Sequence, residues 1–242
     1  MTDIAYSVTL TGTSLILVLI GAAVLAGPVA YAAGVMVADD AGIVDAKACQ
    51  VETLMNARRD SIEYWVLPAC NFTGNLELSI GGSRTHDDSG THTTDVVLQG
   101  KTLFKPLEPN GWGIGLGVGM VRHPQADSGG RDWYAYVPAS FSFRDDRFVL
   151  HTNIGWLREQ ETRRDRFTWG LGSETRLAQR TWLIAETFGQ HQGRPQCQVG
   201  VRHWLAPDRA QIEVTYGNRF GRGAEEHWFS VGLHMFSSRF LP

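Results

Sequence analysis

The chain has 242 residues and a formal net charge of -3, with 22 basic against 25 acidic side chains. That balance excludes a basic nucleic-acid surface, and a 19% share of charged residues excludes a disordered polyelectrolyte. Twenty-seven glycines beside 10% aromatics point to sheets or barrels and leave no heptad run for a coiled coil.

The first element is an apolar run, Ser14 to Val29, that carries no charge. Ala30-Tyr31-Ala32 follows as an A-x-A pattern, so residues 1–32 read as a cleaved signal peptide. Its front end is atypical, because Asp3 is acidic and the first basic residue is Lys47. A membrane anchor is the alternative, since about 20 apolar residues span a bilayer. Export implies an oxidising compartment, in which Cys49 and Cys70 are placed to form a disulfide. Cys197 is left over within an apolar alternation, where a thiol acts as a small hydrophobe. No C-x-x-C occurs, so neither a zinc nor a thioredoxin-type site is expected. Residues 33–74 are expected to form a periplasmic lead-in or a plug, with a helical turn or two over Ala46 to Arg59.

From Asn75 onward the hydrophobic period is 2. Ten strands are predicted, at about 75–83, 93–105, 111–122, 132–143, 147–158, 166–177, 181–190, 195–205, 209–217 and 226–236. The third is the clearest: Trp112, Ile114, Leu116, Val118 and Met120 alternate with Gly111, Gly113, Gly115, Gly117 and Gly119. The fifth sets Phe148, Leu150, Ile154 and Trp156 against His151, Asn153 and Gly155. The tenth sets Phe229, Val231, Leu233 and Met235 against Ser230, Gly232 and His234.

Alternation does not say which face is inside. A soluble barrel hides its apolar face, and a membrane barrel turns it outward. The glycines fall on the polar face, where they weaken a water-exposed surface but leave room in a narrow lumen. The connections at 106–110, 144–146, 178–180 and 206–208 are tight, while those near 84–92, 123–131, 159–165, 191–194 and 218–225 are mostly longer and polar. Short turns at one end and longer loops at the other are the topology of an outer-membrane barrel. Residues 75–242 are therefore expected to form an all-β, closed, antiparallel, up-and-down transmembrane barrel of about ten strands.

Several segments support this with a resemblance. They are Gly74 to Gly82, Asn153-Ile154-Gly155-Trp156 through Asp165 to Gly170, Ala185 to Gly189, Gln198 to Trp204, and Gln211 to Gly217. They resemble strands of the proteobacterial outer-membrane barrels known as meta-pathway phenol-degradation transporters. The resemblance covers most of 70–242 and implies passage of small aromatic or apolar compounds; it supplies no catalytic residues. The chain end, Phe240-Leu241-Pro242, departs from the terminal aromatic of many assembly signals.

The lumen-lining candidates are Glu77, Lys101, Tyr134, Tyr136, His151, Glu174, Arg176, Glu186, Gln198, Arg202, Glu213 and His234. They read as a selectivity lining or as a salt-bridged filling of a small barrel. The first reading is a narrow channel for small compounds, the second a closed structural or interaction barrel. A third is a lipid-modifying enzyme, because Ser140 or Ser142 lies on a strand beside that of His151, with Glu174 one strand further. No G-x-S-x-G elbow is present and no enzyme is expected. His86, His92, His123 and His191 read as solvated loop residues, and neither a metal nor a cofactor is expected. The expected location is the outer membrane of a Gram-negative bacterium. The expected partners are its lipid and lipopolysaccharide, the barrel assembly machinery and a small-molecule solute, with no nucleic acid.

Overall fold

The computed structural model describes residues 36–125, 130–221 and 226–241. The expected signal peptide, residues 1–32, lies outside them. Twelve strands follow one another: β1 (Cys49–Ala57), β2 (Ser61–Asn71), β3 (Glu77–Asp87), β4 (Gly90–Lys105), β5 (Trp112–Arg122), β6 (Arg131–Phe143), β7 (Phe148–Glu159), β8 (Arg164–Ala178), β9 (Thr181–Gln190), β10 (Gln196–Ala206), β11 (Ala210–Arg219) and β12 (Trp228–Phe236). Each pairs antiparallel with the next, and β1 closes the ring on β12.

The strand count corrects the expectation of about ten. The extra pair is β1 and β2, cut from the stretch expected as lead-in or plug, and the helical turns expected over Ala46 to Arg59 are replaced by β1. Cys49 and Cys70 face each other in the β1–β2 register and are joined by a disulfide, with their Cα atoms 4.1 Å apart. The seam is tied again after β12, where Phe240 N–H and Leu241 N–H donate to Lys47 O at 2.9 and 3.0 Å.

The apolar face points out. Ile80, Ile154 and Phe229 are 62%, 60% and 54% exposed, whereas Glu213, His151 and His234 on the inner face are 1% exposed or less. A continuous outer belt of this kind is unfavourable in water and suits hydrocarbon. Closure leaves no unpaired strand edge, which a hydrocarbon surround requires. The inward glycines make room for rings: a Cβ at Gly117 would collide with the Tyr136 ring, and one at Gly119 with the Tyr134 ring.

The ends differ less in length than expected. At one end, the turn end, the chain passes from β2 to β3, β4 to β5, β6 to β7, β8 to β9 and β10 to β11. The other, the loop end, carries the longer links after β5, β9 and β11, but β3 reaches β4 through Asp88 and Ser89 alone. The left-handed backbone at Gly90 (φ 119°) permits that tight reversal where a long loop was expected.

Candidate functional site

The residues ahead of β1 lie inside the barrel. Ala38, Asp40, Ala41 and Val44 are 3% exposed or less, and Met36 is 7% exposed. This inner segment runs from mid-height at Met36, beside Gly172, to the turn end where β1 begins, adding no strand to the sheet. Wall side chains satisfy its backbone groups instead, as buried peptide groups require.

Glu186 on β9 accepts Val37 N–H and Ala38 N–H at 2.9 and 2.7 Å. Asn153 on β7 accepts Asp39 N–H at 2.5 Å and donates to Asp39 O at 2.8 Å. Ser140 Oγ on β6 accepts Ala41 N–H at 2.8 Å. Glu77 on β3 accepts Val44 N–H, and Asn71 Nδ2 on β2 donates to Val44 O, both at 2.8 Å. Two side chains of the segment are held as well. Lys101 Nζ reaches Asp39 at 2.8 Å and Asp40 at 3.4 Å, and the Tyr136 hydroxyl donates to Asp39 Oδ2 at 2.6 Å. These are charge-assisted bonds in a secluded place, the strong kind.

Above and beside the segment a cavity of about 770 Å³ runs from Gln50, Ala69 and Glu77 near the turn end up to Gln192, Arg194 and Arg219 at the loop end. Its walls include Trp65, Leu67, Tyr134, Tyr136 and Phe188, with Gln50, Glu52, Gln99 and Gln190 as polar points between them. Tyr134 and Tyr136 stack at 6.3 Å, and the Tyr134 hydroxyl donates to Gln99 at 2.8 Å. Asp39 and Asp40 form part of the floor.

Beside the segment the wall is filled by a buried ionic network. Arg202 on β10 donates through Nη1 to Glu174 on β8 at 2.6 Å and through Nε to Glu213 on β11. Gln198 donates to Glu186 at 2.6 Å and receives the Trp228 Nε1–H at 3.2 Å. The Ser140 and His151 side chains meet at 2.8 Å between Oγ and Nδ1. His151 Nε2 lies 3.3 Å from Glu174 Oε1, close enough for an ion pair but out of line for a hydrogen bond. Serine, histidine and carboxylate do stand in the order that nucleophilic catalysis uses. Here Ser140 is occupied by Ala41 N–H and Glu174 by Arg202, and all three are 3% exposed or less. In this arrangement the chain supports the inner segment and shows no open face.

The twelve lining candidates divide by place. Glu77, Lys101, Tyr134, Tyr136 and His234 border the cavity. Glu186 and Gln198 anchor the inner segment and its neighbour, while His151, Glu174, Arg202 and Glu213 form the buried network. Arg176 sits at the exposed turn end of β8, its guanidinium 5.2 Å over the Trp182 ring. Asp39, Asp40, Glu52, Trp65 and Gln99 also shape the site. Sequence reasoning passed over them because the first four lie in the stretch expected ahead of the barrel, and Gln99 carries no distinguishing signal of its own.

Fold and lumen together define a porin-like β-barrel of the outer-membrane type. The KdgM porin superposes with a TM-score of 0.60 at 10% identity, covering 77% of this chain and 98% of that one. The NanC porin gives 0.58 at 10% identity, covering 78% and 100%. The COG4313 outer membrane channel from Pseudomonas putida F1 gives 0.51 at 10% identity, covering 78% and 94%. No curated protein sequence matches the chain. The chain belongs to the family described as Uncharacterised conserved protein UCP029691, whose model matches residues 20–236.

Proposed function

We propose that the protein resides in the outer membrane of a Gram-negative bacterium and acts there as a narrow channel for small aromatic or apolar compounds, closed at rest by residues 36–44. The observation that carries this reading is the cavity of about 770 Å³, which runs from Gln192 and Arg194 among the loops down to Gln50 and Glu77 near the turn end and is narrowed on the way by residues of the inner segment rather than by a layer of strands. A stopper held by hydrogen bonds and one lysine is removable, whereas a wall is not. The outward apolar belt and the likeness to porins support the location, which brings lipid, lipopolysaccharide and the barrel assembly machinery as partners.

The solute class follows from the walls. One structural neighbour is a KdgM porin in complex with oligogalacturonate, at a TM-score of 0.57 and 12% identity. A polyanion of that kind does not suit the depth of this lumen, because Lys101 and Arg202 are both committed to carboxylates and Arg194 and Arg219 stand only at the loop end. Trp65, Leu67, Tyr134, Tyr136 and Phe188 offer ring faces and apolar surface instead. The resemblance to phenol-degradation transporters agrees with a phenol-sized solute.

Liposome swelling tests the reading. A folded variant lacking residues 36–43 is expected to admit phenol-sized solutes at least tenfold faster than the intact protein, with trisaccharides excluded. Equal, negligible rates for both proteins would establish a closed barrel.

A further inference from the structure

The inner segment is held as a ligand is held. The wall bonds mostly to its backbone, at both edges: five N–H groups from Val37, Ala38, Asp39, Ala41 and Val44 find acceptors, and the carbonyls of Asp39 and Val44 find donors. The partners come from β2, β3, β6, β7 and β9, so the arc of wall from β2 to β9 takes part. Backbone recognition of this kind takes a peptide of matching course whatever chain it belongs to, here one that bends at 37–38 and 41, and pockets for particular side chains supply the selectivity.

Two such pockets are present. The first is a size limit on β8. A Cβ at Gly172 would collide with Met36 Cε and come within 3.1 Å of Ala38 Cβ, and a Cβ at Gly170 would come within 3.2 Å of the same methyl. The two glycines cut a groove that seats a small side chain at position 38. The second is a charge requirement. Lys101 is 5% exposed and faces both Asp39 and Asp40, with the Tyr136 hydroxyl on Asp39 as well. A buried ammonium needs carboxylates beside it, and Glu77 opposite Lys101 on β3 supplies one from the wall, so the groove favours acids at these two positions.

We propose that this groove is a peptide-binding site which accepts, from a separate molecule at the turn end, a bent segment of small residues carrying two adjacent aspartates. The inner segment is then the resident occupant, and an incoming peptide of the same chemistry competes with it. The channel reading concerns the cavity above and is not needed here, because peptide binding and solute flux are measured separately.

The test uses the folded barrel lacking residues 36–43, in detergent, with its heat-modifiable mobility confirming closure. The probe is a fluorescent synthetic peptide, Met-Val-Ala-Asp-Asp-Ala-Gly-Ile-Val, followed by anisotropy. Saturable binding to the shortened barrel is expected, with the intact protein at least tenfold weaker because its groove is filled. Replacing the alanine at the third peptide position with tryptophan should weaken binding at least tenfold, as should Lys101→Met in the barrel. Three results overturn the proposal: no binding to a correctly closed barrel, equal binding to the intact and shortened proteins, or equal binding of a scrambled peptide of the same composition.

Discussion

Gly172 and Lys101 carry opposite halves of one contact. Gly172→Leu fills the space that Met36 and Ala38 occupy, so the barrel should close while the inner segment stays out. Exposure of residues 36–44 to an added protease reads this directly, and an unchanged cleavage rate would contradict the packing. Lys101→Met leaves Asp40, 1% exposed, without its cation. Breaking a buried pair costs about 3–5 kcal/mol, which weakens the segment's seat, and the same protease assay should show it released.

His123, in the loop after β5, offers a pH readout away from the membrane strands. Burial lowers its pKa, but its hydrogen bonds to Asp132 and Asp95, at 3.2 and 2.6 Å, outweigh that and raise it above the ordinary histidine value. A raised value means that the protonated contact stabilises the loop below about pH 6.5 and is lost as pH climbs through the folded-state value. An NMR titration should place the His123 midpoint above that of a free histidine, and Asp95→Asn should lower it. A midpoint below the free value would contradict the pairing.

At the scale of the element, β1 and β2 carry both the closure and the largest surprise. The disulfide joins residues 21 apart across one hairpin, and a loop of that length stabilises by about 3 kcal/mol in the chain-entropy model. Cys70→Ser should shift the urea midpoint of the barrel accordingly without changing the strand count. The ten later strands were legible because their two faces differ: in β5 the inner side is glycine and the outer side apolar. In β2 that contrast is missing, since Tyr64 and Val66 point out while Trp65 and Leu67 border the cavity, so both faces are apolar. Pro68 also argues against a strand, and it is accommodated where pairing with β3 lapses between Val66 and Ala69. The disulfide was legible from cysteine spacing. The seat of the inner segment was not, because Glu186 and Val37 are 149 residues apart and no local pattern links them.

At the scale of the whole molecule, the proposed channel requires that the belt face hydrocarbon and that the lumen be stopped by chain rather than by wall. Ile154→Arg tests the first. This outward residue of β7 is 60% exposed, and arginine near the bilayer midplane costs about 2–4 kcal/mol. Unfolding from lipid vesicles should show that loss, whereas an unchanged stability would place the belt in water.

The second requirement meets its most direct test in single-channel recording of a locked stopper. The Ala38 Cβ lies 3.1 Å from the position of a Cβ at Gly172, about 0.7 Å inside the usual spacing of about 3.8 Å between disulfide-linked Cβ atoms, so with a small outward shift of the segment and of the Met36 side chain the pair Ala38→Cys and Gly172→Cys is joined by oxidation. The oxidised protein should stay closed in a planar bilayer, and reduction should bring openings that the unlocked wild-type chain, under the same reductant, shows at a similar or lower frequency. The same conductance before and after reduction would mean that residues 36–44 do not gate the lumen.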